Sequence, residues 1–277
     1  MIALDETAQK WRESFITVLE PYPANTPLLL SGGTDSATIL AALLSMGRRP
    51  ACYSFQIGAN EHEDVVVSRM MTAHFQLAHE VCVLPRDQEA LVGDVRELSK
   101  LVKKPVRKTH IQCSQPIMYL AKALKRDGYD TAYIGTGGVV EDNRKGAVML
   151  AEQGEEACRA YRRKNLLEDE GSATEAMRNV SRAVAGVEIV SPYVQDPLAS
   201  YGLSLDMAEI NRPRQKGIAL RAFHMFWLAN AWYRKNSPLQ VNSGLREWHE
   251  TLLRSDYNQN AWKDVVGVYR DIESGVV

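Results

Sequence analysis

Apolar residues along this chain alternate between short unbroken runs and runs spaced three and four apart, and the alternation predicts a fold. The stretches "PLLLS" at 27–31, "ACYSFQI" at 51–57, "HEVCVL" at 79–84 and "DTAYIGTGG" at 130–138 read as buried strands. Between them "DSATILAALLSMG", apolar nearly all round and stopped by Gly47, reads as a helix, as do "EDVVVSRMMTAHF", "DQEALVGDVRELSKLV" and "SQPIMYLAKALKRDG". Such alternation predicts an α/β fold, a doubly wound parallel sheet with helices on both faces. From about Glu155 the pattern turns helical, in "EEACRAYRRKNLL", "SATEAMRNVSRAVAG", "DPLASYGLSL" and "QKGIALRAFHMFWLANAWYRKN", and only "VEIVSP" looks like a further strand. With no low-complexity linker or repeat between the halves, one domain is expected over 1–277: an α/β part over 1–154 and a helical extension over 155–277, with Gly154 and Gly171 its weakest joints.

Composition changes this picture little. At 277 residues, 45% hydrophobic and 24% charged, the chain can bury a sizeable core. Its formal net charge of -1 gives no global attraction to nucleic acid or an anionic membrane. Cys52, Cys82, Cys113 and Cys158 show no C-x-x-C pair, and three lie in apolar runs. Buried thiols in a reducing compartment are expected. Without a leader-like amino terminus or a membrane-spanning run, the expectation is a cytoplasmic protein.

The candidate chemistry sits in "LLLSGGTDS", Leu28 to Ser36. The loop leaving the first strand of a doubly wound sheet lies at its carboxyl edge, and the next helix points its amino terminus into that crevice. Phosphate there meets unpaired N–H groups and the positive end of the helix dipole. Gly32 and Gly33 let backbone approach phosphate oxygens, and the Ser31 and Ser36 hydroxyls add donors, with Thr34 between them. Asp35 would repel phosphate on its own, so its presence calls for a divalent cation such as Mg²⁺. Neither the P-loop spacing nor G-x-G-x-x-G is present.

S-G-G-x-D-S after a short apolar strand resembles the pyrophosphate-loop motif of the ATP pyrophosphatases, which cleave ATP between the α and β phosphates and transfer AMP to an acceptor oxygen. "SFQIGANEHED", with Gly58 and Asp64, resembles the second-strand segment of the asparagine synthetase synthase domain; Ile57 falls where that family packs an apolar side chain on adenine. His79–Glu80, the Ser114, Pro116, Tyr119 and Leu120 element, and "VSPYVQDP" ending near Asp196 match further family segments in order. The resemblance implies a PP-loop (HUP-like) fold with ATP and Mg²⁺, a loop at Gly135, Thr136 and Gly137 on the nucleotide, and catalysis by Lys216 and Asp35, the lysine opening a helix.

In "IGTGGVVEDNRKG" the sequence departs from the family's Gly-Glu-Gly-x-Asp-Glu. If Gly135 matches the first glycine, Thr136 and Val139 replace both carboxylates; if the loop is longer, Glu141 and Asp142 supply a metal-binding pair with Asp35. The second register is favoured, since one carboxylate neutralises magnesium pyrophosphate poorly. The general base is left unassigned.

The glutaminase module of glutamine-dependent asparagine synthetases does not fit before Leu28, so ammonia, a substrate amine or a partner's product is the expected nitrogen source. The resulting expectation is an ATP pyrophosphatase-type, AMP-forming amide ligase or amine transferase acting on a small-molecule acceptor and an amine. Two alternatives stay open: base modification of tRNA or viral DNA, which the basic run Lys100, Lys103, Lys104, Arg107, Lys108 and His110 would serve, and a nucleotide-binding subunit without turnover. Trp227 and Trp232 are expected in the core, and a homo-oligomer is left open.

Overall fold

The computed structural model describes residues 5–59, 61–138, 144–167, 171–228 and 242–277. Five parallel strands form one sheet: β1 (Leu28–Leu29), β2 (Cys52–Ile57), β3 (His79–Leu84), β4 (Thr131–Tyr133) and β5 (Glu188–Val190), in the order β3-β2-β1-β4-β5. Leu28 pairs with Cys52 on one side and Tyr133 on the other, so the strand order reverses at β1. That reversal is the switch point at which an open α/β sheet leaves a crevice beyond its carboxyl ends. The strand in "VEIVSP" is β5, which pairs with β4 through Thr131 and Glu188.

The first helix, α1 (Glu6–Leu19), was not anticipated in the hydrophobic pattern above. Asp5 caps it, accepting from the Ala8 N–H at 2.8 Å, and Ala8, Trp11, Phe15, Val18 and Leu19 make one buried stripe. Next come α2 (Thr34–Ser45), α3 (Glu63–His74), α4 (Gln88–Leu101) and α5 (Lys108–Arg126). The helix α6 (Arg144–Leu167) breaks at Gly154, whose φ of +85° and ψ of −179° are not helical. It is followed by α7 (Ala173–Ala185), α8 (Leu198–Ser204), α9 (Met207–Ile210), α10 (Gly217–Ala222), α11 (His224–Leu228), α12 (Leu245–Glu250) and α13 (Val265–Ser274). Trp227 is buried, and Trp232 lies outside the described residues. All four cysteines are free; burial pushes the Cys52 thiol up to about 12. No helix among the described residues is long and apolar enough to cross a membrane.

A buried polar chain ties the helical layers together. Gln115 on α5 donates to Asp94 on α4 at 2.8 Å, Tyr119 donates to the same carboxylate at 3.1 Å, and the Gln115 carbonyl takes a bond from His249 Nε2 at 2.9 Å. His249 Nδ1 then accepts from the Tyr269 hydroxyl at 2.5 Å. Burial, helped by the Lys108 charge, pushes His249 down from 6.5 to about 3. A histidine neutral in the fold but basic when unfolded contributes stability that is complete above its ordinary value and lost as pH falls toward the depressed one. The unfolding temperature is therefore expected to drop as pH falls from 6.5 toward 3, less steeply in His249→Gln; equal slopes would remove His249 from the acid response. Burial raises the Asp94 carboxyl, which acts in the opposite sense.

Candidate active site

A cavity of about 470 Å³ opens at the switch point. Its polar end is formed by the loop from β1 into α2, by Gly135 to Gly138 after β4, and by Lys216; its apolar end runs between the sheet and helices α5 and α7, past Tyr53, Phe55, Ile117, Leu120 and Met177.

The loop after β1 is held by its own serines. Ser36 Oγ donates to the Gly33 carbonyl at 3.2 Å and accepts from the Ser31 N–H at 3.2 Å, while Ser31 Oγ accepts from the Gly33 N–H at 3.3 Å. Ser31 and Ser36, expected as phosphate donors, also set the loop's shape, and both line the cavity, with Ser36 buried. Gly32 does not line the cavity: at φ +67° it packs the turn onto α3, where a Cβ would lie 2.9 Å from the Asp64 carbonyl oxygen. The Gly33, Thr34 and Asp35 positions do line it, and the amino terminus of α2 begins there with no side-chain cap.

Ile57 corrects an expectation. It is buried against Leu84 and Leu245 and takes no part in the cavity; Tyr53 and Phe55, earlier on the same face of β2, line it instead. Asp64, Pro116 and Leu120 also line it, whereas Tyr119 is spent on Asp94 and exposed Asp196 accepts from the Ser200 N–H at 3.0 Å.

Lys216 and Asp35, 181 positions apart, meet: Lys216 Nζ donates to Asp35 Oδ2 at 2.6 Å, with the lysine side chain 4% exposed. Lys216 precedes α10 rather than opening it, in the left-handed region at φ +57°. A non-glycine residue held there marks local strain that its surroundings over-determine. The Asn211 Oδ1 accepts from the Lys216 N–H at 2.8 Å, and Gly217 lies so close to the Arg212 carbonyl that a Cβ would approach it to 2.1 Å. Asn211 and Gly138 carry no motif signal of their own and were missed. An ideal Cβ on Gly138 would lie 2.0 Å from Asp35 Cγ, and one on Gly135 would lie 2.9 Å from the Ser36 nitrogen. Thus "GTGG" closes directly over the Asp35 turn. Glu141 and Asp142 lie outside the described residues, which contain no group of three metal-ligating side chains.

The basic run is a set of tie-points. Lys103 pairs with Glu175 at 2.9 Å and Lys108 with Glu250 at 2.8 Å, Lys104 pairs with Glu273, and Arg107 and His110 both bond the Gly171 carbonyl. Three of these charges thus meet carboxylates in pairs that stay partly exposed, while Arg107 and His110 meet a neutral carbonyl.

The asparagine synthase family model matches residues 25–138. The matched stretch is thus similar to the asparagine synthase family, over less than half of the chain. It includes β1 to β4 with the loops at 31–36 and 135–138, and it ends before Lys216. No curated protein matches the chain. Among solved structures, the U34-tRNA thiolase NcsA from Methanococcus maripaludis with its [4Fe-4S] cluster is similar at 15% identity over 98% of this chain and 77% of its own, with a TM-score of 0.37. NMN synthetase from Francisella tularensis is similar at 12% identity over 94% and 96%, with a TM-score of 0.36.

Proposed function

We propose that the protein is an AMP-forming synthetase that adenylates an acceptor oxygen with ATP and passes the activated group to an amine or ammonia. What supports the reading above all is the meeting of Lys216 with Asp35 at the mouth of a cavity that is polar on the side of the α2 amino terminus and apolar beyond it. The triphosphate would lie along the 31–36 loop and the base in the apolar end, against Phe55, Ile117 and Leu120. An acceptor oxygen attacks the α phosphorus; the bond to the bridging oxygen breaks, and its electron pair leaves with pyrophosphate. The amine then displaces AMP from the acceptor. Lys216, leaving Asp35 for phosphate, offsets the charge that grows on the leaving group, worth most in a site that excludes water. Thr136 lines the cavity but is no proton acceptor, and a carboxylate acceptor, ionised near neutral pH, needs none.

Mg²⁺ fits one observed group. Asp35 Oδ1 is buried without a hydrogen-bond partner among the described residues while Oδ2 holds Lys216, which leaves a hard oxygen that suits a cation. Asp35 would hold it, and when bound it would neutralise phosphate charge.

The test is incubation with Mg-ATP and a panel of carboxylates, amines, nucleotides and nucleic acids while pyrophosphate and AMP are followed. ADP with orthophosphate as products would overturn the reading. Filling the apolar end by Ile117→Trp is expected to weaken ATP binding at least about tenfold, by steric exclusion of the base. Unchanged affinity in calorimetry would remove the base from that compartment.

A further inference from the structure

The two walls of the cavity mouth have both left the sheet before they reach the site. β1 and β4 pair only at Leu28 and Tyr133, and the next bond outward on β4 runs sideways, from the Ile134 N–H to the Val190 carbonyl of β5 at 2.9 Å. Strand pairing therefore does not fix the Asp35 turn against the Thr136 turn. The three residues after β5 do. The Ser191 hydroxyl donates to the Thr136 carbonyl at 2.5 Å, and its oxygen accepts from the Tyr193 N–H at 3.3 Å. Two residues on, the Tyr193 hydroxyl donates to the Asp35 carbonyl at 2.9 Å. Tyr193 is 2% exposed and its ring meets Phe15 edge-on at 5.2 Å, so the phenol has little room to turn away.

We propose that Ser191 and Tyr193 are positioning residues: their hydroxyls bolt the Thr136 turn and the Asp35 turn to one rigid segment and thereby set the width of the cavity mouth. Neither side chain is among those lining the cavity, so both act through the backbone they hold. Pro192 between them limits the segment's freedom. That the mouth grips the phosphates rests on the function proposed above; the bolt itself does not.

The test uses the full chain. Tyr193→Phe removes one oxygen and keeps the ring, Ser191→Ala removes the other, and Ser191→Thr retains a hydroxyl. Hydrogen exchange read by mass spectrometry is expected to quicken roughly tenfold around residues 31–38 in Tyr193→Phe and around 134–138 in Ser191→Ala, as loss of a buried hydrogen bond allows, with Ser191→Thr close to wild type. The Kd for Mg-ATP is expected to rise about tenfold in both variants, while that for adenosine, which lacks phosphates, stays within about twofold. Exchange that is unchanged, or that quickens equally over the whole chain, overturns the proposal, and so does an equal loss for ATP and adenosine. Should the wild type bind no nucleotide, the proposed function fails while the exchange result still decides the bolt.

Discussion

Lys216→Ala is expected to slow pyrophosphate release from Mg-ATP by about two to three orders of magnitude, the usual loss when one preorganised donor to a developing charge is removed. The buried ammonium, 4% exposed, stands in the polar end of the cavity with its backbone fixed by Asn211. Its field is little screened, so it acts on charge that appears only as the α–β bond breaks. Lys216→Arg is expected to recover little, because a planar guanidinium is longer and wider than an ammonium seated against one Asp35 oxygen. Removing the lysine also strands the Asp35 carboxylate, which then repels phosphate. Steady-state kinetics with Mg-ATP separate the effects: loss of the charge-stabilising role lowers kcat, and the stranded carboxylate raises KM. A Lys216→Ala protein that keeps its kcat would take Lys216 out of the reaction.

How much of this was legible in the sequence depends on how local each signal was. The strand, loop and helix at 28–45 could be read because three leucines, two glycines and an unbroken apolar helix lie within one stretch of chain. The α1 stripe is equally local, with Asp5 as its cap and Trp11 and Phe15 four apart, but its charged residues interrupt the apolar run that marks a helix by composition alone. Ile57 was misplaced for a physical reason: period-two alternation tells which face of β2 a side chain shares with Phe55, and not that Leu84 and Leu245 cover one end of that face. The basic run at 100–110 looked like a surface for phosphate because its carboxylates, Glu175, Glu250 and Glu273, lie far along the chain and come back only through tertiary packing. The same distance hides the Gln115–His249 bond and the Ser191 and Tyr193 contacts. Lys216 was found as a residue but not as a conformation, since nothing in "RQKGIAL" announces a left-handed lysine except the glycine that follows it.

Gly138→Ala is expected to cost at least about a hundredfold in pyrophosphate release while leaving the fold intact, the scale of loss that a displacement of about 1 Å in a reacting geometry brings. The added methyl would fall 2.0 Å from Asp35 Cγ and 2.4 Å from Oδ1, far inside any real contact. Asp35 is poorly placed to yield. Its Oδ2 is held by Lys216 at 2.6 Å, its carbonyl by Tyr193 at 2.9 Å, and its backbone by the first turn of α2. Either the carboxylate moves from where it would hold Mg²⁺ or the loop at 135–138 lifts from the mouth, and both spoil the phosphate end of the cavity. Gly128→Ala makes the control: at φ +84° that glycine has nothing within 4 Å of its missing Cβ, so alanine there brings only backbone strain of about 1 kcal/mol and should leave turnover near wild type. Thermal unfolding of the two variants side by side then separates strain from clash. Comparable unfolding temperatures with activity lost only in Gly138→Ala tie the "GTGG" turn to the Asp35 carboxylate, whereas full activity in Gly138→Ala means that this close approach plays no part in the chemistry.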